Sequence, residues 1–133
     1  MIIGCTGYSE LYLRKEYLMQ IIDATSVFED YKWGVRYRFE FTIRIWPEPK
    51  KPELYYEVIE VLYNNDRCVK YLIDFVRRAT GYELGEWDDE VDFAIGAVFI
   101  GCIIKKVQIN SWRCGPEFYN IKVLLQWGYC VVD

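Results

Sequence analysis

Three arginines on one face of an alternating stretch are the residues of this chain best placed to do chemistry. From Val35 to Ile45, the residues Val35, Tyr37, Phe39, Phe41, Ile43 and Ile45 alternate with Arg36, Arg38, Glu40, Thr42 and Arg44. That is the period of a strand with one buried face, which leaves Arg36, Arg38 and Arg44 together on the other. Guanidiniums in a row can hold phosphates. Lys122, with Asn120 and Gln126 in a second alternating stretch, would add a matching polar face able to meet base edges. Trp46 falls on the solvent side of the first stretch and Trp33 in the turn before it. Aromatics so placed can anchor a protein partner.

Acids and thiols offer less. The densest acidic run, from Glu83 to Asp92, contains Glu86, Asp88 and Asp92, hard oxygen ligands that could gather a divalent cation for phosphodiester hydrolysis. The alternating acid order of a calcium loop is missing, and a solvated loop leading into a helix accounts for the run more simply. The five cysteines are scattered without a C-x-x-C pair, so neither a zinc ribbon nor a secreted disulfide framework is written here. Cys114, beside Arg113 in a Gly-Pro turn, is the thiol most open to activation, but no base accompanies it. With no histidine in the chain, triad hydrolases, H-E-x-x-H proteases and zinc deaminases are excluded for the chain acting alone. Gly96 and Gly101 have the spacing of a phosphate loop, but Cys102-Ile103 stand where it needs Lys and Ser or Thr. No cofactor is expected.

The elements that must position these residues are bounded by composition. The 133 residues, 53% of them hydrophobic, suffice for one self-folding domain spanning 1–133. The net charge of −4 argues against a surface wholly given to nucleic acid or acidic lipid, since phosphate binding needs a concentrated positive field. The first residues lack the basic start of a signal peptide, and the longest apolar run, Phe93 to Ile104, is too short to span a bilayer as a helix. An intracellular, cytoplasmic protein with no membrane partner is expected. Ser, Thr, Asn and Gln are sparse beside Ile, Tyr, Glu, Lys and Arg, a balance found in proteins of hot environments.

Periodicity and caps predict an α+β domain. Helices are expected from Ser9 to Asp23, from Glu53 to Tyr63, and from an Asp66 cap to Gly81; helix is also favoured over strand for Trp87 to Lys106. Two antiparallel β-hairpins are expected to pack against these four or so helices, one over about 26–46 with its turn at Lys32-Trp33-Gly34, the other over about 106–127 with its turn at Cys114-Gly115-Pro116. Glu16 to Trp46 and Asp92 to Trp127 would then be two copies of a degenerate helix–hairpin repeat.

With no catalytic constellation in view, the expected function is a small non-enzymatic binding protein that acts through a sheet face and exposed aromatics. A protein partner, or a second copy in a homodimer, is favoured. Nucleic acid held by Arg36, Arg38 and Arg44 is the alternative, and a carboxylate-metal nuclease the second alternative. The candidate binding residues are Arg36, Arg38, Arg44, Trp46 and Lys122.

Overall fold

The alternating stretch builds the centre of the fold. A computed structural model describes residues 11–107 and 117–132. In it β2 runs Gly34–Trp46, with Phe39, Phe41, Ile43 and Ile45 fully buried and the arginines facing outward. The strands around it are β1 (Glu16–Tyr31), β3 (Tyr56–Tyr63), β4 (Ala97–Val107) and β5 (Glu117–Tyr129). They close into a barrel in the order β1-β2-β3-β5-β4, with β4 returning to pair with β1. All contacts are antiparallel except β3 with β5, which run parallel over Val58↔Glu117 and Ile59↔Phe118. A single sheet that closes on itself leaves few unpaired edges.

One helix, α1 (Val69–Thr80), lies between β3 and β4 in the chain and buries Leu72, Phe75, Val76 and Ala79. Phe75 packs against Phe41 and Phe99, at ring-centroid distances of 5.1 and 6.1 Å, so the helix seals the barrel interior. Gly81 ends it in the left-handed conformation, φ 81°, its N–H donating to Arg77 O at 2.7 Å. The capping residue at the start is Cys68 rather than Asp66, with no side-chain cap.

The expected helix-rich α+β fold is overturned, because α1 is the only α-helix among the described residues and the molecule is mostly sheet. Glu16–Asp23 belongs to β1, where Tyr17, Met19 and Ile21 alternate inward; Ser9, its expected cap, lies outside the described residues. The stretch read as a helix over Glu53 to Tyr63 contains β3. Strand period sends Glu60 to the interior while Glu57 stays outside. The segment from Trp87 to Lys106 holds a 3-10 turn at Asp92–Ala94 and most of β4. β4 is buried at nearly every residue from Ala97 to Ile103, and a continuous apolar run covered on both faces has no period to separate strand from helix. The repeat goes with the helices: both of its copies contain strand pairs, β1–β2 and β4–β5, and neither is led by an α-helix among the described residues. The expected turn at Cys114-Gly115-Pro116 lies outside the described residues.

Bulges shape the barrel. The register of β1 against β2 slips between Ile21 and Asp23, and that of β4 against β5 slips between Val98 and Phe99, Ile100 and Gly101, and Ile103 and Lys105. Each extra residue bends its strand and strengthens its twist, which barrel corners require. In β5 the slips skip Leu124 and Trp127, so inward alternation ends at Val123 and Leu124–Trp127 are all exposed. Gly96 ties the corner together. At φ 97° it donates to Ile21 O at 2.7 Å and accepts from Cys130 N at 3.0 Å.

Candidate nucleic-acid interface

Antiparallel pairing of β2 with β1 and β3 decides what stands beside each arginine. Arg36 is opposite Glu29, and Arg44 is opposite Glu57. Cross-strand neighbours on one face are close enough to interact, and both pairs are ion-paired, at 2.8 and 3.1 Å. Arg38 is opposite Tyr63 and Val27, and pairs with Glu40 two residues along its own strand. The three arginines therefore share one surface, as alternation required, and each is matched by a glutamate on it.

Tyrosines complete the surface. The Arg36 guanidinium lies between the rings of Tyr31, at 4.3 Å, and Tyr63, at 3.7 Å. That of Arg44 lies over Tyr55 at 4.1 Å, and Tyr55 in turn meets Trp46 edge-on at 6.3 Å. Pairing and stacking together hold these guanidiniums in fixed planes. A guanidinium has five N–H donors, more than one carboxylate occupies, and Nε of Arg44 is buried with no partner among the described residues.

The β1–β2 hairpin reaches beyond the barrel. β3 pairs with β2 only from Arg38 to Ile45, and β4 with β1 only from Glu16 to Gln20, so the tip from about 27 to 37 has no neighbouring strand among the described residues. Its turn carries Lys32 over Trp33, 4.9 Å from the ring centroid, with Trp33 76% exposed. The base is braced by Asn64. Its Oδ1 accepts from Tyr37 N at 2.7 Å, its N–H donates to Tyr37 O, and its Nδ2 donates to Glu86 O at 2.8 Å. Phe28, Tyr37 and Trp87 cluster behind the hairpin, with rings 5.1 and 6.1 Å apart.

Other expected residues are placed elsewhere. β3 separates β2 from β5, so Lys122 faces solvent across β3 from the arginines. Trp46 is half-buried and donates from Nε1 to Pro52 O at 2.9 Å. Glu86, Asp88 and Asp92 are exposed, Asp88 accepts from Gly85 N, and no group of three or more Cys, Asp or Glu able to hold a metal occurs among the described residues. Cys68, Cys102 and Cys130 are free thiols, and Cys114 lies outside the described residues. No helix among the described residues is long and apolar enough to cross a membrane.

Sequence reasoning missed the tyrosines and the glutamate partners. Glu29 and Tyr31 could have been found by extending the alternation of β2 back across its turn, since a two-residue turn sets the register of the whole hairpin. Tyr55, Glu57 and Tyr63 could not, because reading Glu53 to Tyr63 as a helix gives no register against the arginines of β2. No protein-family model matches the chain, and neither the curated proteins nor the solved structures contain a significant match to it.

Proposed function

We propose that this protein binds single-stranded nucleic acid along the outward face of β1, β2 and β3, with the hairpin tip extending the track. The observation that carries the reading is the set of guanidinium–tyrosine stacks of Arg36 with Tyr31 and Tyr63 and of Arg44 with Tyr55. Single-strand binders need flat π-faces for bases beside cations for the backbone, and stacking is worth about 1–3 kcal/mol per base. The remaining guanidinium N–H groups supply charge-assisted bonds to phosphate, and exposed Trp33 beside Lys32 offers a further stacking position. Fold analogy supports this reading: five-stranded OB barrels bind oligonucleotides on their second and third strands and neighbouring loops.

Glu29, Glu40 and Glu57 offset the arginine charges on this face. Stacking then contributes more of the affinity than counterion release does, in keeping with a chain of net charge −4. The test is quenching of tryptophan fluorescence by a single-stranded oligothymidylate across a salt series. Replacing Arg36, Arg38 and Arg44 together by Ala should weaken binding and flatten the log–log salt slope by about 2, at roughly 0.7 for each single-strand phosphate that is no longer neutralised. A wild-type protein that binds neither DNA nor RNA at low salt would end the proposal, because the electrostatic attraction is strongest there.

A second reading, attachment to a protein or to a second copy of the chain, draws on β5, where Leu124, Leu125, Trp127 and Tyr129 are all exposed, Trp127 by 67%. Trp127 replaces Trp46 as its anchor, since Trp46 is engaged with Pro52 and Tyr55. Under this reading Trp127→Ala abolishes self-association in analytical ultracentrifugation, whereas a monomeric wild type excludes the homodimer.

A further inference from the structure

Among the described residues, β3 and β5 are paired for two residues on each strand. Beyond Ile59 and Phe118 they part, and α1 covers the gap, leaving a partly open cavity of about 570 Å³. Most of its wall is apolar, with Leu62, Phe75, Ile104 and Val123 contributing. One residue is out of character. Glu60, at an inward position of β3 where Tyr56 and Val58 precede it, is only 2% exposed and lines the cavity.

The two oxygens of Glu60 differ. Oε2 accepts the Ile121 N–H across the parted strands, taking the place of a ladder bond. Oε1 is buried with no hydrogen-bond partner among the described residues. A buried polar atom left unpaired is costly, and more so if charged, whereas leucine at the same position would avoid that cost. Burial pushes the carboxyl up to about 8, against the lowering effect of N–H donation from Ile121 and Val61.

We propose that this cavity is a binding site for a small organic cation with an apolar body, an aryl or alkyl amine or amidine, whose N–H groups meet the Glu60 carboxylate once the covered Oε1 turns toward the cavity. An apolar cavity of a few hundred Å³ with few oriented polar groups is the usual form of a small-molecule site. The ionised carboxylate is acceptor-only, and its free oxygen is matched by an N–H donor carrying the charge that burial leaves uncompensated. The other charged groups on the cavity do not compete for that position. Asp74 of α1 is held by Arg77 and Arg78, and Lys122 of β5 is exposed and can extend into solvent. Tyr63, Tyr71 and Cys68 also line the wall. Tyr63 borders both the cavity and the Arg36 stack, whereas Glu60 is buried on the inward side of β3, away from the nucleic-acid track.

Binding of such a cation ionises Glu60, and the carboxyl proton leaves to buffer. The experiment is calorimetric titration of the wild-type protein with benzamidine and with phenethylamine at pH 7, in two buffers of different ionisation enthalpy. One ligand per chain and release of close to one proton are expected, with benzyl alcohol, a neutral analogue, binding about tenfold more weakly or less. Glu60→Gln should weaken both amines by about tenfold or more and abolish proton release, while oligothymidylate binding stays as in the wild type. Failure of the oligonucleotide assay alone leaves this site standing. Binding without proton release, equal affinity for benzyl alcohol, or no heat from either amine would overturn it, and all three are read on the wild type, whether or not the variant folds.

Discussion

Glu60→Gln should change how stability responds to pH more than any other single substitution in this barrel. The folded carboxyl titrates near 8 against 4.5 for an ordinary glutamate. At about 1.36 kcal/mol for each pH unit between them, the full linkage is roughly 5 kcal/mol. Below the unfolded value the carboxyl is neutral in both states and its contribution to stability is fully present. As pH rises, the unfolded chain releases the proton first, and the contribution is lost progressively until the folded carboxyl also ionises, near pH 8. Most of that loss, about 3 to 4 kcal/mol, falls between pH 5 and pH 8. Glutamine keeps the shape and cannot titrate. Urea unfolding followed by tryptophan fluorescence at pH 5, 6, 7 and 8 should therefore show the wild type losing stability relative to the variant, with unchanged m-values. The remaining carboxylates are common to both proteins and cancel in the difference. Parallel stability profiles would refute the reasoning, because they would mean that Glu60 is as solvated in the folded protein as in the unfolded chain.

Four other substitutions test the framework. Phe39, fully buried, should cost about 3–5 kcal/mol as Phe39→Ala, while Arg38→Ala, on the outward face, should change stability by less than about 0.5 kcal/mol in the same denaturation assay. Gly96→Ala should cost about 1–3 kcal/mol in thermal unfolding, since Gly96 has φ 97° and an added Cβ would sit 2.8 Å from Cys130 O. Asn64→Ala leaves the Tyr37 N–H and the Glu86 carbonyl without their side-chain partner and should cost about 1–3 kcal/mol. Hydrogen exchange should then rise first at Tyr37, at the base of the hairpin.

Local pattern determined part of this protein. The fault-free alternation from Val35 to Ile45 specified β2, its buried phenylalanines and the shared face of its arginines, because a strand's two faces follow from backbone geometry alone. The apolar spacing after Asp66 and the glycine at 81 specified α1 and its end, since helix contacts and caps lie within a few residues of one another. The absence of histidine ruled out imidazole chemistry without any structure. β1, β3 and β4 were decided by tertiary pairing. Glu53 to Tyr63 carries apolar residues at spacings that suit a helix, and it forms a strand where β2 offers it a ladder of partners from Arg38 to Ile45. That choice turned Glu60 inward and brought Tyr63 beside Arg36 and Glu57 beside Arg44. A strand's hydrogen bonds and its side-chain neighbours both come from other parts of the chain, so the stacked arginines and the buried carboxyl came into being only when the sheet closed.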